Sequence, residues 1–310
     1  MSGTAAWQRY WSTSAARGGR GCVPDAHGPV AAAQAAVWRG FARELPRGAK
    51  VIDLGTGSGA AAAILVAERR DLKPLGVDLA RTLPSAPPGV KLQGGVGMED
   101  LPFADKSFAA AISQFGYEYG STAAAAGELA RVVHEGGALL LMIHHRGGPL
   151  VSHNMVRREA LRWALAPGGI LEKAQAFAAT GLRAGLAVPP YFRAAVVEAQ
   201  QLFPGQSAAP ELAMGILQRL EHGRGAPGEA VAMLGDLRLE AEGEVQRLTL
   251  MEIAARDEAG IAALAGELAE SGFAMGDPRI MPELASGAPL AWLLRGTRGR
   301  KRLSDRAASP

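Results

Sequence analysis

Two acidic residues and a series of glycines are the residues whose types and spacing best suit ligand chemistry. Asp53 lies near the end of an apolar run, and three glycines follow it at alternate positions over residues 55–59. Asp78 ends a second, shorter apolar run. Glycine adopts positive φ angles and lets the backbone approach a ligand closely, and the N–H groups that open a helix point at such a ligand. The pattern predicts a ligand site where a strand turns into a helix.

The position of the acids narrows the chemistry of that ligand. A carboxylate at Asp53 would repel a pyrophosphate and attract a ligand that carries an ammonium or sulfonium group. Asp78 follows Gly55 by 23 positions, close to the separation of about 20 at which doubly wound folds place a carboxylate on a ribose hydroxyl. Gly55, Gly57 and Ala60 also satisfy the dinucleotide fingerprint loosely, so a nucleotide-dependent oxidoreductase stays open as an alternative.

Candidate proton acceptors lie after two later apolar runs. His144 and His145 follow the run at 138–143, and Tyr117 follows the run at 109–115. Imidazole titrates near neutrality, which suits removal of a proton. His153 would add a third histidine within ten positions, but no carboxylate motif or regular helical spacing accompanies the group. The sequence therefore predicts catalytic candidates here and no metal site.

The elements that position these residues alternate between strands and helices. Apolar runs and helical spacing predict strands at 51–54, 74–78, 90–93, 109–115, 138–143, 273–281 and 289–294, and helices at 30–45, 60–70, 121–134 and 257–271. Ser58 is expected to cap the helix after the glycines. Strands that alternate with helices are typical of a parallel sheet with helices on both faces.

Five segments are expected along the chain. Trp7, Tyr10 and Trp11 would anchor an otherwise flexible arm, and an alanine- and leucine-rich stretch with several Pro and Gly breaks predicts helices over the ligand edge. The segments are a flexible N-terminal arm (1–29), a ligand-binding core (30–149), a helical insertion or cap over the active site (150–250), the completion of the sheet (251–296) and a basic tail (297–310).

Composition excludes several classes of protein. The 310 residues are 48% hydrophobic and 20% charged, as in globular proteins. No apolar stretch reaches the roughly 20 residues that a membrane helix needs, and no signal peptide pattern is present, which favours a cytoplasmic protein. The single cysteine, Cys22, excludes an internal disulfide. The net charge of +3 owes much to the basic tail, for which a solvated terminus is favoured over contact with nucleic acid.

Four segments of the sequence resemble one enzyme family. They are VIDLGTGSG at 51–59, GVDLA at 76–80, MEDLPFADKSFAAAISQ at 98–114 and ELARVVHEGGALLLM at 128–142. In this order they resemble the class I S-adenosylmethionine-dependent methyltransferases, particularly the branch around quinone-biosynthesis and related small-molecule methyltransferases. The resemblance implies an α/β fold with a doubly wound, mainly parallel seven-stranded sheet whose last strand is antiparallel, plus a helical insertion.

The resemblance also implies roles for individual residues in holding S-adenosylmethionine. The methionine portion would be held by Asp53, Gly55, Thr56, Gly57 and Gly59, and Gln114 would lie near the methionine tail. Asp78 would accept hydrogen bonds from both ribose hydroxyls. Leu79 would pack on the adenine, and Met98 and Glu99 would line the adenine pocket. Two positions depart from the family pattern, because Gly97 and Ala109 stand where many relatives have aspartate.

The implied reaction is an in-line transfer of a methyl group to a small-molecule acceptor. Alignment supplies much of the catalysis, and a hydroxyl or ammonium acceptor must also lose a proton. The departures at Gly97 and Ala109 leave open a non-catalytic protein that binds through the same fold. An RNA methyltransferase is the reading suggested by the basic tail. The acceptor, the methylated atom and the oligomeric state stay open.

Overall fold

The computed structural model describes residues 3–16, 28–283 and 286–299. The chain divides into two units. An α/β unit contains the residues up to Val151 and those from Ile253 onward, and a helical unit contains Ser152–Glu252. Cys22 lies outside the described residues, as do the basic residues from position 300 onward, for which the sequence favoured a solvated terminus.

The first part of the chain alternates strands and helices after two opening helices. Its elements are α1 (Gly3–Ala16), α2 (Pro29–Glu44), β1 (Lys50–Leu54), α3 (Ala60–Glu68), β2 (Lys73–Asp78), β3 (Lys91–Gly94), β4 (Phe108–Gln114), α4 (Thr122–Val132) and β5 (Val133–His144). A short 3-10 turn, Tyr117–Tyr119, lies between β4 and α4.

The second part of the chain is helical until the sheet resumes. Its elements are α5 (Pro149–Leu165), α6 (Ile170–Thr180), α7 (Tyr191–Leu202), α8 (Ala208–His222), α9 (Pro227–Ala254), α10 (Glu258–Glu270), β6 (Phe273–Met275), β7 (Arg279–Pro282) and β8 (Pro289–Arg298). Asp257 caps α10, because its side chain accepts from the Gly260 N–H. In the part of the chain that the structure describes, no helix is long and apolar enough to cross a membrane.

The strands form one mixed sheet in the order β3-β2-β1-β4-β5-β8-β6. The first five strands are parallel, and β8 runs antiparallel to β5. The predicted strand at 273–281 is two strands, since β6 pairs with residues 296–298 of β8 and β7 pairs with residues 289–293 on the same edge. Pro278, which has no N–H to donate, lies in the interruption. The predicted doubly wound, mainly parallel sheet of seven strands is confirmed, and β7 is an additional short strand that pairs with β8.

Both faces of the sheet are covered, and β5 shows how the sequence achieves this. Leu139, Leu141 and Ile143 belong to a core with α4 and α10, whereas Leu140 and Met142 belong to a second core with α2 and α3. All five are nearly fully buried. Because successive side chains of a strand point to opposite faces, a continuous apolar run serves both cores.

Helix α1 differs from the expected flexible arm. Trp7 and Trp11 lie one helical turn apart and stack at a centroid distance of 6.5 Å, and Trp11 is only 7% exposed. The Arg81 N–H, just after β2, donates to the Gln8 side chain at 2.5 Å. The aromatic residues were recognised as an anchor, but their packing also orders the helix that carries them.

The helical unit has an apolar core of its own. Its fully buried members include Leu171, Phe192 and Ile216. Ion pairs lie at its surface, among them Arg157 with Glu244 at 2.5 Å. The unit agrees with the helical spacing of its sequence, and a role for it as a cap over the active site stays a prediction.

Candidate functional site

The glycine turn after β1 has the left-handed backbone that its sequence predicted. Gly55, Gly57 and Gly59 have φ angles of 62°, 53° and 76°. A Cβ added at Gly55 would lie 2.9 Å from the Gly116 Cα, so the backbones after β1 and after β4 are in contact. Gly59 is the N-cap of α3, with no side-chain cap. The predicted cap at Ser58 is therefore wrong, because the helix begins one residue later than that cap requires.

Gly57 makes room for a side chain of this protein. A Cβ at residue 57 would overlap the indole ring of Trp11 in α1. Trp7, one turn earlier, meets Tyr119 edge-on at 5.5 Å. The first helix thus packs against both the glycine turn and the segment after β4. The sequence pattern attributed the glycine at position 57 to a ligand. The indole ring of Trp11 is a second reason why this position requires glycine.

Asp78 ends β2 beside the glycine turn and is well placed to bind a diol. Its Oδ2 accepts from the Gly57 N–H and its Oδ1 from the Ala80 N–H, each at 2.9 Å. Burial raises the pKa of Asp78, and these two N–H groups oppose that shift. Each carboxylate oxygen has a further lone pair. Leu79 beside it exposes 53% of its surface, so a carboxylate and an apolar face lie together, as a nucleoside requires.

Asp53 is nearly inaccessible in its strand. It is 1% exposed, and its Oδ2 accepts from the Thr56 hydroxyl at 2.7 Å. Burial raises the pKa of Asp53 to about 7, the Thr56 hydrogen bond opposes this, and the negative charge of Asp78 adds to it. Near neutral pH the carboxyl group is close to its titration midpoint. A cationic ligand would favour its charged form, which is an effect through charge and requires no direct contact.

Met98 and Glu99 lie together beside the start of α4. Glu99 Oε1 accepts from the Ser121 N–H at 2.9 Å, and its Oε2 lies 3.1 Å from the position of a Cβ at Gly97. Gly120 leaves space for the Met98 sulfur, which lies 3.0 Å from a Cβ built there. An aspartate at position 97 would therefore require Glu99 to move. The departure at Gly97 has a local structural reason.

Gln114, the last residue of β4, is held from the opposite side of the sheet. Its Oε1 accepts from the indole N–H of Trp38, which is fully buried in α2. The next residue, Phe115, has a φ of 55°, an unusual conformation for a residue with a side chain. Its N–H donates to the Met142 carbonyl at 2.8 Å, which holds the chain in this turn.

Tyr117 does not have the environment of a base. Its side chain is fully buried, and its hydroxyl donates to the Thr122 carbonyl at 2.7 Å. Burial, with a smaller effect of Glu267, raises the pKa of Tyr117 above its usual range. The hydroxyl is thus both occupied and hard to ionise. This environment does not favour the predicted catalytic role of Tyr117, which stays a prediction.

His145 and His153 also lie in settings that give them no evident chemistry. His145 is 8% exposed and stacks on Trp292 of β8 at 4.7 Å. Its Nδ1 is buried and, in the described part of the chain, has no hydrogen-bond partner. His153 belongs to the helical unit, where its carbonyl accepts from Gln206. Within residues 3–16, 28–283 and 286–299, no group of three or more His, Cys, Asp or Glu side chains could hold a metal ion.

His144 is the candidate whose surroundings suit proton transfer. Its Nδ1 lies 2.8 Å from Glu118 Oε1, and its backbone N–H donates to the same oxygen at 3.0 Å. Phe115 stacks on the imidazole at 4.2 Å, and Tyr119 meets it edge-on at 6.0 Å. Sequence reasoning missed the Glu118 contact. The available signal was an acid directly after the fourth strand, at the same sheet edge as the histidines.

One family model and several solved structures are similar to this chain. Residues 52–141 match the family model described as a methyltransferase domain. No match is found among curated proteins. Similar solved structures include a chain of the complex between the Haloferax volcanii Trm112 methyltransferase activator and a methyltransferase, with 12% identity over 86% of this chain and 90% of that chain and a TM-score of 0.45. Another is an S-adenosylmethionine-dependent methyltransferase from Thermotoga maritima, with 14% identity over 96% and 100% and a TM-score of 0.44.

The family match covers the glycine turn, Asp78 and the strands as far as Leu141. It does not distinguish the quinone-biosynthesis branch, which stays a prediction. The confirmed sheet order, with its antiparallel β8, places these residues in the fold that the sequence implied. Residues 52–141 are therefore similar to a methyltransferase domain.

Proposed function

We propose that this enzyme transfers a methyl group to a small-molecule acceptor, and that the glycine turn with Asp78 holds the donor. The observation that carries the donor assignment is the Asp78 carboxylate, fixed by the Gly57 and Ala80 N–H groups beside the exposed side chain of Leu79. Bound S-adenosylmethionine supplies an electrophilic methyl group on a sulfur that leaves as a neutral thioether.

The residues of the chain divide the binding work by their chemistry. Asp78 accepts hydrogen bonds from the ribose, Leu79 packs on the base, and Met98 and Glu99 border the base from the start of α4. Asp53 supplies negative charge from beneath the turn, because its carboxyl group is almost completely buried. Gln114 is oriented by Trp38 at the end of β4, where its amide nitrogen is available to a carboxylate.

The end of β5 supports a small acceptor. His144 is 3% exposed, and aromatic rings surround it at short range, with Phe115 on its face and Tyr119 at its edge. Trp7 of α1 packs on Tyr119 from the other side. Aromatic and apolar walls around one polar group are typical of sites for small ligands.

Calorimetric titration and a turnover assay test this proposal. We expect S-adenosylmethionine and S-adenosylhomocysteine to bind with dissociation constants in the micromolar range, and NAD not to bind. Release of S-adenosylhomocysteine is then followed with a panel of phenols, alcohols and amines, and with bulk RNA and protein as competing acceptors. Turnover of a member of the small-molecule panel supports the proposal. Absence of S-adenosylmethionine binding at 1 mM, or turnover of RNA or protein alone, contradicts it.

A further inference from the structure

We infer that Glu118 is a positioning residue that holds His144 as a general base, and that the acceptor therefore carries a proton on its nucleophilic atom, as a hydroxyl or an ammonium group does. The inference rests on the proposed function and assigns the class of acceptor. It starts from a pair of buried, chemically complementary side chains that come from two different strand ends.

The hydrogen bonds of Glu118 fix both the ring and the backbone of His144. Glu118 Oε1 lies 2.8 Å from Nδ1 and accepts from the His144 N–H at 3.0 Å. A carboxylate accepts hydrogen bonds, so the tautomer that satisfies this contact carries its proton on Nδ1. The lone pair then lies on Nε2. The geometry thus selects the tautomer in which Nε2 accepts a proton.

The burial of Glu118 favours a role in charge stabilisation. Its side chain is fully buried, and its Oε2 has no hydrogen-bond partner among the residues that the structure describes. A buried carboxylate oxygen without a partner is costly. If Glu118 only held the His144 backbone N–H, its carboxylate would not also need to contact the imidazole ring. An imidazolium formed during turnover would place a positive charge directly against this carboxylate, which offsets the cost of burying it.

The other polar groups around the pair are Arg256, from one further segment, and the sequence neighbours Tyr119 and His145. Arg256 donates from its side chain to the Glu118 carbonyl at 3.4 Å, and its N–H donates to the His144 carbonyl at 2.9 Å. Tyr119 faces the edge of the imidazole, and His145 follows in sequence but stacks on Trp292. Glu118 is thus the acid in contact with the ring.

Electrons and protons balance in a single displacement. The acceptor's proton goes to Nε2, from a hydroxyl as its oxygen attacks and from an ammonium group before its nitrogen attacks. With S-adenosylmethionine bound, the acceptor's lone pair would then form the new bond to the methyl carbon as the carbon–sulfur bond breaks with its electron pair remaining on sulfur. Glu118 stabilises the resulting imidazolium, which returns the proton to water. His144 is the catalytic residue in this step, and Glu118 acts only through it.

The tautomer of His144 tests the inference without any acceptor. In protein labelled with ¹⁵N at histidine, NMR shifts distinguish a protonated from an unprotonated ring nitrogen, and His144→Gln assigns the signal. We expect the Nδ1–H form in the wild type near neutral pH and loss of its dominance in Glu118→Gln. Glu267→Gln is the matched control, because Glu267 also buries an unpartnered carboxylate oxygen, and should leave the signal unchanged. A dominant Nε2–H form in the wild type, or no change in Glu118→Gln, overturns the inference.

Kinetics with the same phenol, alcohol and amine panel separate positioning from structure. Glu118→Gln should lower kcat about 100-fold and leave the KM for S-adenosylmethionine within about twofold, since a positioned base contributes about 10²–10⁴-fold. An unchanged kcat, or a fall in kcat with a comparable change in the KM for S-adenosylmethionine, overturns the inference. If no member of the panel is methylated, the NMR measurement of the His144 tautomer decides whether the inference holds. A wild-type protein that does not bind S-adenosylmethionine contradicts the proposed function and leaves the tautomer result as the test of the inference.

Discussion

The two ends of the ligand edge are built in different ways. Beside β1 and β2, Asp53 and Asp78 bind groups that lie within 21 positions along the chain, such as Thr56 and the Gly57 N–H. Beside β4 and β5, Glu118 bonds His144 at a separation of 26 positions, and the Arg256 side chain reaches Glu118 across 138 positions. The first end is a local motif, and the second is assembled by the tertiary fold.

Under the proposed function, the end beside β1 and β2 (the donor end) binds the methyl donor, and the end beside β4 and β5 (the acceptor end) carries out the chemistry. The donor end uses backbone N–H groups and glycine conformations, which many sequences can share while their acceptors differ. The acceptor end uses side chains from three distant segments, each of which can change independently of the glycine turn. A change at the first end should therefore alter the affinity for the donor, and a change at the second should alter turnover.

The largest expected effect comes from the point where the two ends meet. Gly55→Ala should lower the free energy of unfolding by about 3 kcal/mol, because alanine is disfavoured at a φ of 62° and its Cβ would lie 2.9 Å from the Gly116 Cα. Gly136→Ala is the matched control, with a φ of 81° and no atom within 4 Å of the new Cβ, and should cost about 1 kcal/mol. Urea unfolding measures both. Equal losses would contradict the close contact at Gly55.

A somewhat smaller effect is expected from the pH dependence of Asp53. Its pKa is raised by burial to about 7 in the folded protein, above the unfolded value of about 3.9. The folded state then binds more protons between these values, so the wild type loses stability as the pH rises through this window and changes little above it.

Asp53→Asn should remove this dependence. In urea unfolding, the free energy of unfolding of the variant relative to that of the wild type should rise by about 2 kcal/mol between pH 5 and pH 8. This is the change expected from the pKa shift of one group over that interval. Asp277→Asn alters an exposed acid and should leave the pH dependence as it is. A gain of the same size in both variants, or no gain in Asp53→Asn, would show that Asp53 is not the group responsible.

The sequence predicted the strand ends and the glycine turn beside β1 and β2 well, because their signals are local. Strand ends, glycine spacing and the offset to Asp78 all depend on residues close along the chain. The Glu118 contact was missed, since it depends on the register of β4 against β5. Helix α1 was also missed, because its order comes from Trp11 packing on a turn 46 positions away. The break between β6 and β7 followed from pairing with β8, which the apolar pattern of 273–281 alone does not reveal.

Titration of S-adenosylhomocysteine into the wild type, Asp78→Asn and Glu118→Gln is the most direct test of a donor end distinct from an acceptor end. Asp78→Asn weakens the charge-assisted bonds to the ribose, and we expect a dissociation constant about 30-fold higher, on the order of 2 kcal/mol. Glu118→Gln should stay within about twofold of the wild type. Equal weakening in the two variants, or unchanged affinity in Asp78→Asn, would contradict the account.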